Sequence, residues 1–512
     1  MNEAAPPLQG GARALTAFAL ALGTFMQVLD SSIANVSIPT ISGDLGVSPD
    51  QGTWVITSFA VANGVSVPLT GWLMQRYGVV RTFVFSLLAF TVASFLCGIA
   101  WSLPALVFFR VLQGAVSGPM IPGSQALLLS LFPPERKGAA LAIWSMTTLV
   151  APICGPIFGG YISDNWTWPW IFFINLPVGA FAGLVCWRFL AARETPTRKL
   201  PIDRVGLGLL VLWVGALQIF LDKGKDLDWF GSAFIVTLAI LAAVSFAAWL
   251  IWELTEEHPI VDLSLFKSRS FSIGTLCLCL GYGVFFGNVV LLPLWLQTQL
   301  NYTATWAGLV SAPSGAVAIL ATILAGRLLA RSDARLIAVA SFVAFGLSYF
   351  MRARYTPDSS FGVLVAPLLV FGIGMGTFFI SLVAISLADL TPAQIPAGSG
   401  LSNFLRITAG SFAVSITTTF WDRHEALHQS RLVEALTPYD PAMQQTLAQM
   451  QQHGLPQAQG FGLLLHTIVG QSYLMSALDY FWISGWLSLA LIPLIFFTHR
   501  PAGAAPAAAG AD

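Results

Sequence analysis

Charged side chains are scarce in this chain of 512 residues: Asp, Glu, Lys and Arg make up only 9% of it, against about 25% in ordinary soluble domains. Hydrophobic residues make up 56%, so polar groups are too few to cover a water-soluble surface. The 24 basic and 24 acidic residues balance, and no net field attracts nucleic acid. The composition excludes a cytosolic enzyme, an intrinsically disordered chain and a secreted disulfide scaffold.

Long hydrophobic runs are what the sequence has in abundance. A helix needs about 20 apolar residues to cross a bilayer, and lipid offers no hydrogen-bond partners to an open, non-helical backbone. The runs predict an all-α integral membrane protein with fourteen transmembrane helices. Their predicted bounds are Leu15–Ile38, Trp54–Met74, Phe83–Ala100, Pro104–Phe132, Gly138–Ile162, Trp170–Leu190, Val205–Leu221, Phe230–Trp252, Phe271–Gln297, Trp306–Leu329, Leu336–Phe350, Phe361–Leu387, Leu401–Trp421 and Tyr480–Phe497.

The basic residues orient these spans. An even number of spans puts both termini on one side, and Lys and Arg accumulate in cytoplasmic loops. With the N-terminus inside, sixteen of the 24 basic residues fall in inner segments and six, including Arg352, in outer ones. Arg110 and Arg406 complete the set and lie within spans. We therefore expect both termini in the cytoplasm.

A short repeat suggests how the spans are organised. Gly, Leu and Arg recur at the same spacing from Gly71, near the end of span two, and from Gly326, near the end of span ten. The match equates these two spans. It predicts two six-helix halves, at residues 13–190 and 271–497, separated by an inserted helix pair at residues 204–252.

Two opposite charges lie inside predicted spans. At 1.5 Å per residue, Asp30 lies about 12 Å and Arg110 about 9 Å from the outer ends of their helices. A charge at this depth costs roughly 2.5–3.5 kcal/mol on insertion scales, so a partner, protonation or a water-filled cavity is expected. We predict that Asp30 takes and releases a proton and that Arg110 biases it towards release. Asp222 and Arg406 are weaker candidates, because an interfacial cap and a snorkelling arginine explain them equally well.

Four local motifs extend this pattern. They comprise Asn35 and Pro39 beside Asp30 in the first helix; Gln113, Gly114 and Gly118 beside Arg110 in the fourth; Pro152, Gly155, Pro156, Gly159 and Gly160 in the fifth; and Gly71, Arg76 and Gly78 in the loop after the second. Together they resemble the motifs of fourteen-helix drug:proton antiporters of the major facilitator superfamily, most closely EmrB-type exporters of Gram-negative bacteria. The prolines and glycines of the fifth helix fit either close packing or a gating bend. The loop departs from the superfamily's usual pattern, because Gln75 takes the place of an acidic residue.

The resemblance implies a function and partners. It implies proton-driven export of hydrophobic drugs and toxic compounds across the inner membrane, in a tripartite system with a periplasmic adaptor and an outer-membrane channel. Protons and lipophilic small molecules are the implied partners; no cofactor, metal or nucleic acid is expected. We predict that the long segment from Asp422 to Ser476 is an external, periplasmic loop that contacts the adaptor. Export of fatty acids on the same scaffold remains an alternative, as does a membrane-embedded lipid enzyme, which the scattered histidines disfavour.

Overall fold

The computed structural model describes residues 8–133, 136–198, 201–435, 441–452 and 456–499, and their regular structure is helical. The α-helices are α1 (Gly10–Leu45), α2 (Pro49–Gly52), α3 (Trp54–Ser66), α4 (Thr70–Tyr77), α5 (Val79–Gly98), α6 (Leu103–Ser117), α7 (Met120–Leu131), α8 (Lys137–Asn165), α9 (Trp170–Phe173), α10 (Asn175–Leu190), α11 (Arg204–Lys223), α12 (Ala233–Thr255), α13 (Arg269–Thr298), α14 (Ala304–Leu329), α15 (Ala334–Arg352), α16 (Phe361–Ser386), α17 (Ile395–Ala435), α18 (Pro441–Gln452), α19 (Gln457–Ala490) and α20 (Ile492–Ile495). Three short 3-10 turns lie at Ala191–Arg193, Trp229–Gly231 and Leu263–Lys267.

Many of these helices are long and apolar enough to cross a membrane. Within the described part of the chain there are eleven such spans, of which α6 with α7 form one and α9 with α10 form another. The number is twelve if the bent pair α3 and α4 also forms one span. Fourteen were expected from the sequence. Two other helices at predicted spans, α8 and α17, contain 29 and 41 residues. They are not among the eleven.

Two predicted spans are broken helices. The span predicted at Trp54–Met74 divides into α3 and α4, whose axes meet at 56°, and Pro68 lies in the break. The span predicted at Pro104–Phe132 divides into α6 and α7 at Pro119. Proline has no N–H to donate and its ring collides with the preceding turn, so each interruption has a local cause.

The segment predicted as an external loop is helical over most of its described length. Helix α17 continues past Trp421 to Ala435, α18 follows at Pro441–Gln452, and α19 begins at Gln457 rather than at Tyr480. Hydropathy locates only the apolar part of a helix. Alanine, leucine and glutamine in this segment favour helix in water as well as in lipid.

The helices form two bundles with a helix pair beside them. Helices α1 to α10 make the first bundle, in which α1 packs on α8 and α10, and α3 packs on α6. Helices α13 to α20 make the second, in which α16 packs on α14 and α15, and α13 packs on α17. Helices α11 and α12 pack on each other, and α11 also contacts α3 and α17, one from each bundle.

The two bundles approach each other closely at the end that carries the basic loops α4–α5, α7–α8 and α14–α15, hereafter the basic end. A Cβ atom at Gly71 would lie 2.9 Å from that of Ala397. A Cβ atom at Gly138 would lie 2.4 Å from the carbonyl oxygen of Gly326. Only glycine permits such an approach of two backbones. The bundles are therefore closed against each other at the basic end.

Candidate functional site

A buried ion pair joins α1 and α6 inside the first bundle. The Nη1 atom of Arg110 lies 2.6 Å from Oδ2 of Asp30. The two residues are only 0% and 2% exposed, so water does not screen their attraction. The structure thus brings together the two charges that the sequence predicts at compatible depths, from positions 80 residues apart in the chain.

The second carboxylate oxygen of Asp30 is held by neutral amides. Oδ1 accepts hydrogen bonds from Asn175 at 2.9 Å and from Gln113 at 3.1 Å. Both amides also donate to the hydroxyl of Ser94. The ionised carboxylate is therefore paired on one oxygen and doubly hydrogen-bonded on the other, the arrangement that makes a buried charge tolerable.

Arg110 has further contacts that fix its position. Its Nε donates to the carbonyl oxygen of Val55 at 3.0 Å, and its Nη1 also donates to Gln113 at 2.6 Å. The guanidinium lies 4.2 Å from the ring centroid of Phe59 and 5.6 Å from that of Phe172. Its Nη2 has no hydrogen-bond partner among the described residues. One corner of this cation therefore remains available.

A cavity of about 1300 Å³ lies between the bundles. Helices of both bundles line it, and α11 contributes Trp213 and Gln218. Arg110 lines the wall, whereas Asp30 lies behind it and is not among the described lining residues. The wall is mostly apolar and aromatic with several amide side chains, as in small-molecule binding sites. The amides are Gln27, Asn35, Asn63, Asn165, Gln218, Asn288 and Gln297.

Arg406 lines the same cavity from α17 and is 3% exposed. Its Nη2 donates to the side-chain oxygen of Asn403 at 2.8 Å, and its guanidinium lies 4.8 Å from the ring centroid of Tyr282. It forms no salt bridge within the described part of the chain. The structure therefore buries this weaker candidate instead of letting it snorkel to the membrane surface.

Arg352 is a cavity residue that the sequence did not reveal. Counting it among the outer-loop residues was wrong, because α15 extends to Arg352 and the side chain is 1% exposed. Its guanidinium lies 4.5 Å from the ring centroid of Phe371, and its Nε and Nη2 have no hydrogen-bond partner among the described residues. It lies two residues beyond the predicted span, and no feature of the sequence signals that neighbouring helices cover it.

Asn175 is another residue of the ion-pair network, and it was not predicted as a site residue. It follows an apolar run, Trp170–Phe173, and opens α10. An amide at the buried start of a membrane helix is a weak signal of a polar partner. The other partner, Ser94, gives no such signal, because a serine in a helix often satisfies its own backbone.

The fifth-helix motif packs α8 against α1. Ser32 donates to the carbonyl oxygen of Pro152 at 3.1 Å. Cβ atoms at Gly155 and Gly159 would lie 2.2 Å from Ser32 Oγ and 3.2 Å from the Ile33 carbonyl oxygen. Helix α8 also includes Pro156 and Gly160, whose contacts lie outside the described residues.

The fourth-helix glycines have a similar role against α3. A Cβ at Gly114 would lie 2.5 Å from the carbonyl oxygen of Phe59, and one at Gly118 would lie 2.4 Å from the backbone of Ser66. These glycines let α6 approach α3 closely. That approach brings Arg110 near the backbone of Val55.

The loop motif forms the turn between α4 and α5. Gly78 has a φ of +92°, a conformation that residues with a side chain rarely adopt. The Arg76 guanidinium lies 5.3 Å from the ring centroid of Trp72. Glu194, from beyond α10, accepts hydrogen bonds from the backbone N–H groups of Val80 and Arg81. An acidic group thus caps α5 although the motif itself has Gln75.

The remaining candidates lie at the edges of the site. Asn35 lines the cavity, and Pro39 lies within α1 without interrupting it. Asp222, at the end of α11, accepts a hydrogen bond from Thr57, while Lys223 donates to Thr53 at 2.7 Å. This pair anchors α11 to α3. Among the described residues no group of three His, Cys, Asp or Glu side chains is arranged to hold a metal.

Two helical bundles that enclose a large cavity beside a buried ion pair define a polytopic membrane transporter. The chain belongs to the Major Facilitator Superfamily, whose profile matches residues 20–414. It is 48% identical over 506 residues to the multidrug export protein EmrB of Escherichia coli strain K12, covering 99% of each chain. It is 46% identical over 496 residues to the fatty acid resistance protein FarB of Neisseria gonorrhoeae, covering 97% of this chain and 98% of that one.

A solved structure agrees with the fold. The proton:xylose symporter XylE superposes with a TM-score of 0.58 at 12% identity, covering 94% of this chain and 95% of that one. At this identity the likeness concerns the fold alone. As a member of this superfamily the chain is a transporter and not an enzyme, so a lipid enzyme is no longer an alternative.

Proposed function

We propose that this protein is a proton-driven antiporter that exports hydrophobic drugs and other toxic compounds. Its similarity to a multidrug export protein along the whole chain supports the drug substrates. The single observation that carries the proton coupling is the buried Asp30–Arg110 pair at 2.6 Å, with Arg110 on the cavity wall. A carboxylate and a guanidinium this far from water mark ion pathways in membrane proteins.

Proton coupling follows from the two states of the Asp30 carboxyl group. When Asp30 is ionised, it holds Arg110 and accepts from Asn175 and Gln113. When it is protonated, the attraction to Arg110 is lost and a cation with a free corner is left on the cavity wall. Substrate and proton then disfavour each other's binding, and linkage requires that this effect be reciprocal.

The architecture that we propose has fourteen spans. The twelve apolar spans, with α3 and α4 as one, are joined by α8 and α17, which fill the predicted fifth and thirteenth positions. Residues 13–190 and 271–497 form the two halves, and residues 204–252 the inserted pair. The basic end faces the cytoplasm of a cell with an inner membrane, as the distribution of Lys and Arg favours. The cavity then alternates between the two sides as the halves rock.

The test is the variant Asp30→Asn in proteoliposomes with an imposed proton gradient. We expect it to insert and fold, because a neutral amide is less costly to bury than a carboxylate, although Arg110 loses its partner and stability falls. It should lose uphill efflux and substrate-induced proton release. Asp226→Asn is the matched control, since Asp226 follows the end of α11 and its side chain is 61% exposed. Normal pumping by Asp30→Asn would show that the coupling group is elsewhere.

We also propose that the segment at residues 422–476 contacts a periplasmic adaptor, which in turn reaches an outer-membrane channel. Its helices α17 and α18 and the start of α19 extend the chain far beyond what a helix connection requires. Deleting residues 423–470 and co-purifying the protein with the adaptor tests the contact. Undiminished assembly and export would count against it.

Fatty acids are a second candidate substrate. The specific observation is the 46% identity to a fatty acid resistance protein over nearly the whole chain. An alkyl chain and a lipophilic drug both require an apolar cavity, so the two functions share one site. A panel of both compound classes in a pump-deficient bacterium, with and without an uncoupler, separates them.

A further inference from the structure

The second bundle presents a row of aromatic rings to the cavity with an arginine at each end. Phe371 and Phe285 stack with ring centroids 5.5 Å apart and planes 7° apart, and Tyr282 lies 5.8 Å from Phe285. Arg352 lies 4.5 Å above Phe371 at one end. Arg406 lies 4.8 Å above Tyr282 at the other. All five residues line the cavity.

The charges on this wall are unbalanced. Of the described lining residues, those that carry charge are Arg110, Arg352 and Arg406. Arg110 has the carboxylate of Asp30, whereas Arg352 and Arg406 form no salt bridge within the described ranges. Arginine keeps its charge in protein interiors, so the cavity wall carries two uncompensated positive charges.

Arg352 has more buried N–H donors without an acceptor than Arg406 among the described residues. Arg406 donates through Nη2 to Asn403, and its buried Nε is without a partner among the described residues. Arg352 leaves both Nε and Nη2 without one. Aromatic faces stabilise the cation as a whole, but they do not accept from N–H groups at the edge of the guanidinium. In arginine, Nε and the neighbouring Nη2 lie side by side and can bind a carboxylate through two parallel hydrogen bonds.

We propose that Arg352 is the anchor for the acid group of an amphipathic organic anion, whose apolar body lies along Phe371 and Phe285. This assignment rests on the proposed export function and names the charge of one substrate class. The acid group of the ligand accepts the hydrogen bonds for which Arg352 has no acceptor among the described residues. When the ligand leaves, the guanidinium is again buried without a hydrogen-bond acceptor. Arg406, already partnered, has a smaller part at the far end of the row.

The experiment compares two probes of equal chain length, one with an anionic carboxylate head group and one with a neutral hydroxyl. Dodecanoate and dodecan-1-ol have the same chain length, and their binding to the purified full chain in nanodiscs of zwitterionic lipid is measured by equilibrium dialysis. The pH is set so that the free acid is ionised, and empty nanodiscs correct for partition into lipid. Arg352→Gln is the test variant. Arg354→Gln, an exposed arginine two residues away, is the matched control.

We expect wild type to bind dodecanoate more tightly than dodecan-1-ol. Arg352→Gln should weaken dodecanoate binding about tenfold or more, the effect of losing charge-assisted hydrogen bonds, and should leave dodecan-1-ol within about twofold. Arg354→Gln should change neither, and Arg406→Gln should weaken dodecanoate by less than Arg352→Gln. If Arg352→Gln does not fold, Arg352→Lys is expected to retain part of the preference for dodecanoate.

Several outcomes would overturn the assignment. They are equal binding of both probes to wild type, equal loss of both probes in Arg352→Gln, and a larger loss in Arg406→Gln than in Arg352→Gln. A second set of nanodiscs contains added phosphatidylglycerol, and displacement of dodecanoate by this anionic lipid would assign Arg352 to a lipid headgroup instead. The measurement contains no proton gradient, so its failure leaves proton-driven export standing. Failure of the Asp30→Asn test likewise leaves the anion preference measurable.

Discussion

The two bundles bury arginine in different ways. In the first, Arg110 is paired with Asp30, and the amide side chains of Gln113 and Asn175 hydrogen-bond to the pair, so the local net charge is zero. In the second, Arg352 and Arg406 are covered by aromatic rings and have no carboxylate within the described residues. In the mechanism proposed above, the first arrangement exchanges a proton. The second keeps a positive charge that a ligand of opposite sign can neutralise.

This difference separates two tasks that a transporter must perform. In the proposed export mechanism the paired carboxylate of Asp30 exchanges the proton, and the cavity lies next to the pair. An unpaired guanidinium cannot exchange a proton in this way, since arginine remains charged. It can, however, discriminate between ligands by charge. On the functions proposed above, the first bundle would serve energy coupling and the second selectivity.

The largest expected effect comes from breaking the matched pair. Arg110→Gln leaves the Asp30 carboxylate buried without its partner, which costs about 3–5 kcal/mol in comparable buried pairs. Arg352→Gln leaves no such charge behind and should cost clearly less. Thermal unfolding of the purified variants measures the difference. Adding Asp30→Asn to Arg110→Gln should recover part of the loss; a double variant less stable than Arg110→Gln would contradict the pairing as its cause.

An intermediate effect is expected from the aromatic cover of the second bundle. Tyr282→Leu removes the ring that faces Arg406 at 4.8 Å, and a buried cation–π contact contributes about 0.5–2 kcal/mol. Tyr282→Phe keeps the ring and serves as the control. Thermal unfolding without substrate should rank wild type and Tyr282→Phe together and Tyr282→Leu below them. Equal stability of all three would show that the ring does not support the arginine.

The smallest effect is expected from an ion pair outside the cavity. Lys225 lies 2.8 Å from Asp422, and both side chains are about two-fifths exposed. Water and salt screen such pairs, which contribute at most about 1 kcal/mol. Lys225→Gln should therefore hardly change the unfolding temperature, at low or high salt. A loss as large as that of Arg110→Gln would mean that burial is not what distinguishes these charges.

Much of the site could be predicted from the sequence because its signals are local. Asp30 and Arg110 stand out as charges within apolar runs, and the helical rise gives their depths. Gln113 and Gly114 follow Arg110 at three and four residues, which puts them on one helix face. Asn175 and Arg352 could not be found in this way. Whether they are buried depends on helices distant in the chain.

The sequence by itself determined that the chain is a helical membrane protein, roughly where it crosses, and which charges lie deep, since hydropathy and helical periodicity are properties of short segments. Only the tertiary structure decided which helix faces meet. That choice joined Asp30 to Arg110 and Asn175, and it covered Arg352 with Phe371. Packing between helices far apart in sequence fixes these contacts, because each side chain's surroundings are supplied by other segments.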